Sequence, residues 1–171
     1  MSAAAPDRSP GTIVPTAPND STRPLLPGAG FVDAWSVDID EPDLDAIVAA
    51  RRVFARQPAW VARLTALRDL LVAQFALKTA ADARVAVDEP DRIGFFPILS
   101  RGPERVVLGL DDRHLDFRVA LDVATTFAGK SRITATTLVR THNNLGRIYL
   151  AVVTPFHRAV VPAMLAQAVR P

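Results

Sequence analysis

The sequence contains no cysteine, which excludes disulfide bonds, thiolate catalysis and zinc sites with cysteine ligands. Three further signatures of catalytic chemistry are also missing. No glycine-rich phosphate loop follows a predicted strand, no serine sits in a nucleophile-elbow sequence, and no HExxH motif is present. We therefore expect no covalent catalysis through an activated nucleophile, no bound metal and no cofactor.

A strong excess of charge of one sign is missing as well. Lysine and arginine number 20 and aspartate and glutamate 18, for a net charge of +2. Because the arginines are interspersed with acids, the sequence gives no nucleic-acid footprint. The first ten residues lack the basic start and apolar run of a signal peptide. These features predict a cytoplasmic protein that binds no nucleic acid.

The most apolar stretch, Ile148–Leu165, is barely long enough to cross a membrane. It carries His157 and Arg158 near its middle and also contains two prolines. A charge at the centre of a spanning helix costs about 3 kcal/mol. We therefore expect no membrane span and predict that this stretch is buried in protein.

Proline recurs through residues 1–27, mixed with Ser, Thr, Asp and Ala. Such a segment buries too little apolar surface to offset its ordering entropy, which predicts a disordered tail. Over the whole chain, hydrophobic residues make up 49% and charged residues 22%, which is the ordinary composition of a globular protein. We expect a single domain over residues 28–171.

The domain begins with a predicted strand, Phe31–Ile39, and two helices follow it. Residues 40–43, Asp-Glu-Pro-Asp, are typical of a helix start, with proline in the first turn and acids near the positive end of the helix dipole. A second helix is predicted from Pro58. Its apolar stripe consists of Trp60, Leu64, Leu67, Leu71 and Phe75.

The middle of the chain is rich in strand patterns. Turn signals separate four predicted strands, which are Arg92–Leu99, Arg105–Leu110, Arg113–Val123 and Ser131–Thr141. A further short strand is predicted before them, near Arg84–Val87. The third strand alternates most regularly, with apolar residues such as Leu115 at odd positions and polar residues such as Asp116 at even ones. This period of two predicts a sheet whose apolar face packs on the core.

The last two of these strands are predicted to form a hairpin around Ala128. For their apolar faces to coincide, the numbers of paired positions must sum to an even number, and a turn centred on Ala128 then sets Asp116 opposite Arg140 and His114 opposite His142. Unlike charges paired across strands contribute up to about 1 kcal/mol, which favours this register.

A helix is predicted at the C-terminus, but its beginning is ambiguous. Ile148–Val153 fits a last strand, with Thr154 as the N-cap and Pro155 as the first helical residue. The same residues also fit the first turns of one long helix bent at Pro155.

Several short motifs together resemble the bacterial domain of unknown function 2867 (DUF2867) family, within the START and Bet v 1-like (SRPBCC) superfamily. The motifs are Pro58-x-Trp60, Ile93-Gly94-x-Phe96-Pro97, Asp111-Asp112-Arg113-His114-Leu115-Asp116-Phe117-Arg118, His142-Asn143, Gly146-Arg147-x-Tyr149 and Pro155-Phe156-His157-Arg158. The resemblance covers the chain from about Leu25 onward. It implies an α+β helix-grip fold, in which a curved antiparallel sheet, with two short helices after its first strand, wraps around one long C-terminal helix.

The polar residues of these motifs are the candidates for a site. For acid–base chemistry the candidates are His114, Asp112 and His142, because histidine with a carboxylate suits proton transfer near neutral pH. For ligand contacts they are Asp116, Phe117, Arg118, Arg140, Tyr149, Phe156 and His157. Each also has a structural interpretation, as a solvated sheet residue, a turn residue, a surface ion pair or a core aromatic.

Three functions fit these observations. The first is binding of a small apolar or amphipathic molecule between the sheet and the C-terminal helix, as the superfamily resemblance implies. The second is an enzyme that uses the same cavity for acid–base chemistry, of the cyclase or dehydratase kind, on a ketide-like or carbonyl substrate. The third is an interaction subunit without a ligand, which would bind a protein partner through an exposed apolar patch.

Overall fold

The computed structural model describes residues 11–55, 57–64, 91–94, 96–126 and 128–169. The strands are β1 (Val14–Pro15), β2 (Phe31–Ile39), β3 (Arg92–Ile93), β4 (Phe96–Arg101), β5 (Arg105–Asp111), β6 (Leu115–Thr125) and β7 (Ser131–Thr141). The α-helices are α1 (Ala46–Ala55) and the C-terminal α2 (Asn144–Val169), and a 3-10 helix spans Asp20–Leu25. Residues 59–64 are also helical.

The strands form one antiparallel sheet in the order β1-β2-β7-β6-β5-β4-β3. Helices α1 and α2 pack against each other and against one face of this sheet, which we call the inner face. A curved antiparallel sheet holding a long C-terminal helix is the helix-grip arrangement, so the predicted α+β fold class is confirmed.

The β6–β7 hairpin has the predicted register. Asp116 pairs with Arg140, and the backbone N–H of His142 donates to the carbonyl of His114 one step further along. Strands β2 and β7 also have the predicted bounds. The single strand predicted over Arg92–Leu99 is instead divided into β3 and β4, because Gly94 has a positive φ of 60° and the chain turns there.

The first helix begins later than predicted. Residues 40–43 do not start it, and Asp43 lies in the left-handed region, with φ of 55°, which a helix does not admit. Asp45 caps α1 instead: its Oδ1 accepts hydrogen bonds from the backbone N–H of Ile47 at 2.7 Å and of Val48 at 3.4 Å.

The start of a second helix after Pro58 agrees with the helical residues 59–64. Val61 within it is buried in the core, whereas Trp60 is 43% exposed. Most of the predicted stripe, from Leu67 to Phe75, and the predicted strand Arg84–Val87 lie outside the described residues.

Helix α2 is continuous through Pro155 and Pro162, which resolves the ambiguity in favour of one long helix. Asn143 caps it, since its Oδ1 accepts from the backbone N–H of Gly146 at 3.0 Å. Thr154 is no N-cap, because its hydroxyl donates back to the carbonyl of Leu150 within the helix.

The core lies between the inner face and the two helices. The C-terminal half of α2 is its most deeply packed part, with Met164, Leu165 and Ala168 buried. These residues belong to one apolar cluster with the inner-face side chains Val37, Val106, Leu108, Leu121 and Ile133 and with α1.

The opposite face of the sheet, the outer face, is covered by part of the segment predicted to be a disordered tail. From residue 11 onward this segment is structured: β1 pairs with β2, and Thr22 and Leu26 are buried. Arg105 on β5 donates to the hydroxyl and carbonyl oxygens of Ser21, and Arg140 on β7 donates to the carbonyl of Pro27. The prolines therefore do not prevent order, and we call residues 11–27 the N-terminal cover.

Candidate functional site

Strand alternation divides the predicted site residues between the two faces of the sheet. Even-numbered positions of β6 and β7 face outward, and odd-numbered positions face α1 and α2. Asp116, Arg118 and Arg140 are therefore on the outer face, whereas Phe117 is on the inner face. This agrees with the expectation that the apolar face points inward, and it means that these four residues do not share one site.

On the outer face, Asp116 is the centre of a polar cluster that includes Arg140 and His142. Its Oδ2 accepts from Arg140 Nη2 at 2.6 Å, and its Oδ1 lies 3.0 Å from His142 Nε2. Burial alone would raise the pKa of the Asp116 carboxyl, but the hydrogen bonds from His142 and Arg140 outweigh it and lower that pKa. Because Arg140 Nη1 also donates a hydrogen bond to the Pro27 carbonyl, this cluster connects the hairpin to the N-terminal cover.

Arg118 is held on the same face by a neighbouring carboxylate. Its Nη1 lies 2.5 Å from Asp111 Oδ1 on β5 and also donates to the carbonyl of Phe117. The Arg118 side chain is 14% exposed. This contact matches the structural interpretation of Arg118 as a member of an ion pair.

The acid–base candidates His114 and Asp112 lie where β5, β6 and α2 meet at one end of the sheet. The backbone N–H of Asp112 donates to the Leu115 carbonyl, which is a turn geometry. The His114 ring accepts from Arg113 Nε at 2.7 Å and contacts the Asn143 side chain at 3.0 Å. Both ring nitrogens are therefore engaged in connecting the start of β6 to the cap of α2.

Gly146 sets how closely α2 approaches this end of the sheet. A Cβ at this position would lie 2.1 Å from the carbonyl oxygen of His114, far inside van der Waals contact. The absence of a side chain thus allows the first turn of α2 to lie directly against β6.

Half-buried aromatic rings lie on the inner face, where Phe117 is in register with Val139 of β7 and, through it, with Phe31 of β2. Phe117 on β6 packs edge-to-face on Phe96 with ring centres 5.3 Å apart, and Phe96 packs in the same way on Phe54 of α1 at 5.5 Å. All three rings are half-buried, as is Tyr149 on α2. Phe54 and Phe96 also pack against the apolar cluster that contains Met164 and Leu165.

His157, in the middle of α2, faces the inner side of β2. Its ring packs edge-to-face on Phe31 with centres 5.6 Å apart, and its Nε2 lies 3.4 Å from Asp33 Oδ2. That nitrogen is buried and makes no hydrogen bond. Burial lowers the pKa of the His157 imidazole, although the Asp33 charge partly opposes this. The ring is therefore neutral at pH 7.

The sequence reasoning did not select Phe31 and Asp33. Both lie at odd positions of β2, and their partners Val139 and Thr137 are on the inner face. An acid at an apolar position of an alternating strand is the signal that identifies Asp33, whose Oδ2 also accepts from Trp35 Nε1 at 2.9 Å.

Phe156 points away from the sheet. It is 49% exposed and lies on one side of α2 with Ile148, 62% exposed, and Val152, 55% exposed. The prediction that this whole stretch is buried in protein is therefore wrong, because one side of the helix remains exposed. By length and composition α2 is apolar enough to cross a membrane, but this one helix, packed on the sheet and on α1, gives no clear span.

Comparison with known proteins found one relevant family. A search of the curated proteins gave no match. A family model described as a protein of unknown function, DUF2867, matches residues 25–164, which include the whole sheet except β1 and most of α2. The chain therefore belongs to the DUF2867 family.

Proposed function

We propose that this protein binds a small apolar or amphipathic molecule between the inner face of the sheet and the N-terminal half of α2. The observation that carries the proposal is the half-buried aromatic lining there, formed by Phe31, Phe96 and Phe117. Ligand sites are mostly apolar and aromatic, with a few polar groups that fix orientation. The Asp33–His157 pair supplies such groups beside Phe31.

The proposal keeps three of the predicted ligand contacts, Phe117, Tyr149 and His157. Arg118 and Arg140 lie on the outer face. Arg118 pairs with the Asp111 carboxylate, and Arg140 pairs with the Asp116 carboxylate and donates to the Pro27 carbonyl of the N-terminal cover. We therefore assign these two arginines to the support of the sheet.

A neutral fluorescent probe, N-phenyl-1-naphthylamine, tests the proposal. We expect saturable binding to the full chain, with displacement by ligand extracted from freshly purified protein. Phe117→Ala should weaken binding by about tenfold, since truncating a buried aromatic contact costs more than 1 kcal/mol. The matched control, Phe156→Ala, removes an exposed phenyl ring from the side of α2 that points away from the sheet, and it should leave the affinity unchanged.

Two results would overturn the proposal. One is the absence of saturable probe binding by a folded wild-type protein. The other is an equal loss of affinity in Phe117→Ala and Phe156→Ala, which would place the probe on the exposed side of α2. Circular dichroism of both variants checks that they fold.

An enzyme is the second candidate, and the Asp33–His157 pair favours it. A neutral imidazole with a buried, unbonded Nε2 beside a carboxylate is suited to accept a proton from a carbonyl substrate. In an enzyme, His157→Gln abolishes turnover and retains ligand binding; in a binding protein, the same change only weakens affinity. The candidates His114 and Asp112 lie apart from this pair, at the end of the sheet where α2 begins.

The third hypothesis, an interaction subunit, is supported by the exposed apolar side of α2. The exposed side chains Ile148, Val152 and Phe156 form the apolar patch that such a subunit requires. Replacing all three by serine would abolish binding of a protein partner while leaving probe binding unaffected.

A further inference from the structure

Charge is sorted between the two faces of the sheet. Strands β5, β6 and β7 contain four arginines, Arg105, Arg118, Arg132 and Arg140. Each lies on the outer face within 2.6 Å of an aspartate carboxylate. These cations are therefore neutralised locally, and none of them contributes to the space between the sheet and α2.

The inner face has the opposite character. Strands β2, β5, β6 and β7 are described in full, and Asp33 is the one ionisable side chain on their inner faces. Its side chain is 23% exposed. Its neighbours are the indole N–H of Trp35 and the imidazole of His157. The carboxylate accepts a hydrogen bond from Trp35 Nε1, but no arginine or lysine pairs with it among the described residues.

Aromatic rings stand on both sides of this carboxylate. Phe31 and Trp35 lie two residues before and after Asp33, so all three project from the same face of β2. The faces of aromatic rings attract cations through their quadrupoles, most strongly when the cation is removed from water. A carboxylate between two aromatic side chains is therefore a suitable environment for a cationic group.

We propose that Asp33 selects an apolar molecule that carries a protonated amine. This inference rests on the proposed ligand-binding function and specifies the ligand class. The amine would pair with the Asp33 carboxylate beside Phe31 and Trp35, and the apolar part would lie along Phe96 and Phe117. A fatty acid would place a second carboxylate beside Asp33 with no inner-face cation to compensate for it.

Three probes with the same alkyl chain test this selection: dodecylamine, 1-dodecanol and dodecanoate. Their affinities for the full-length protein are measured at pH 7 by displacement of N-phenyl-1-naphthylamine, below the concentrations at which they form micelles. We expect dodecylamine to bind at least about tenfold more tightly than dodecanoate, since hydrogen bonds to a charged partner contribute about 1.5–3 kcal/mol.

Asp33→Asn identifies the residue responsible. It should weaken dodecylamine binding by about tenfold and leave 1-dodecanol within about twofold, because only the ion pair is removed. The control Asp20→Asn also removes one negative charge, but from a fully exposed side chain in the N-terminal cover, and should change neither affinity. Equal losses in the two variants would mean that the protein's overall charge attracts the amine.

The outcomes separate this inference from the proposed function. If N-phenyl-1-naphthylamine binds and the three alkyl probes show equal affinity, or dodecanoate binds best, the selection by Asp33 is wrong and the proposed binding of an apolar molecule stands. If no probe binds to folded wild-type protein, the proposed function itself is wrong. The ranking of probes by the wild-type protein decides the question even if Asp33→Asn does not fold.

Discussion

Asp116 and Arg140 face each other across strands β6 and β7, with the carboxylate Oδ2 and the guanidinium Nη2 2.6 Å apart. The Asp116 side chain is 7% exposed and that of Arg140 is 40% exposed, so the pair lies at the margin between sheet and solvent. Through Arg140 it also reaches the carbonyl of Pro27. The pair thus stabilises both the hairpin register and the N-terminal cover.

Replacing Asp116 by asparagine should therefore destabilise the fold. Asp116→Asn leaves Arg140 and His142 without their carboxylate, and we expect a loss of about 2 kcal/mol in the free energy of unfolding, measured by urea denaturation at pH 7. The control Asp111→Asn removes a carboxylate that is 64% exposed, and it should cost less than about 1 kcal/mol. Equal losses in the two variants would contradict the central role of Asp116.

The same carboxylate predicts a dependence on pH. The pKa of Asp116 is lower in the folded protein than its ordinary value of 3.8, so the stabilisation is complete above that value. It is lost as the pH falls through the lower pKa of the folded state. The wild-type protein should therefore lose more unfolding free energy between pH 5 and pH 3 than Asp116→Asn does, and parallel profiles would show that Asp116 does not titrate in this way.

The β6–β7 pairing shows why so much of the sheet was predictable. Alternation along both strands, with Leu138 as the exception, restricts the pairing to registers in which both apolar faces reach the core. The turn signal at Ala128 then predicts one of these registers, and that register is observed. The polar–apolar pattern also predicts which face is inward. The hairpin register and the inward face thus follow from local sequence, whereas the helix-grip fold class was expected from the family resemblance.

The candidate site was less predictable because it depends on which surfaces cover the sheet. Nothing in the proline-rich segment before Pro27 indicates that Leu26 is buried. The contact between Ser21 and Arg105 has no local signal either, because it joins residues that are more than eighty positions apart. The Asp33–His157 contact likewise joins the first long strand to the last helix. Such pairs are set by tertiary packing and have no local sequence signal.

The N-terminal cover should contribute measurably to stability. Leu26 is 3% exposed, and Leu26→Ala should cost about 2–3 kcal/mol, as truncation of a buried leucine does. Leu99→Ala makes the same chemical change at a side chain that is 50% exposed and should cost less than about 0.5 kcal/mol. Chemical denaturation of both variants tests this, and equal small effects would mean that the segment does not pack on the sheet in solution.

The contact between Gly146 and His114 predicts a second cost. In Gly146→Ala the new methyl group would overlap the carbonyl of His114, so the first turn of α2 must move away from β6. Such overpacking costs about 1–3 kcal/mol. Gly30→Ala is the matched control, because nothing lies within 4 Å of its Cβ position and its φ is not positive. A Gly146→Ala protein as stable as wild type would show that α2 does not approach β6 so closely.

The neutral His157 predicts that stability falls in mild acid. Because burial holds its folded-state pKa below the ordinary 6.5, the unfolded chain binds a proton more readily than the folded protein does. Stability therefore decreases as the pH falls from about 6.5 towards the folded-state pKa. His157→Gln removes this titration and should flatten the pH dependence of the melting temperature between pH 7 and pH 5.

Asp33→Asn should lower the His157 pKa further, since the Asp33 charge favours the protonated ring, and NMR titration of the imidazole signal measures this shift directly. An unchanged or raised His157 pKa in Asp33→Asn would contradict the proximity of the two groups on which the proposed site depends.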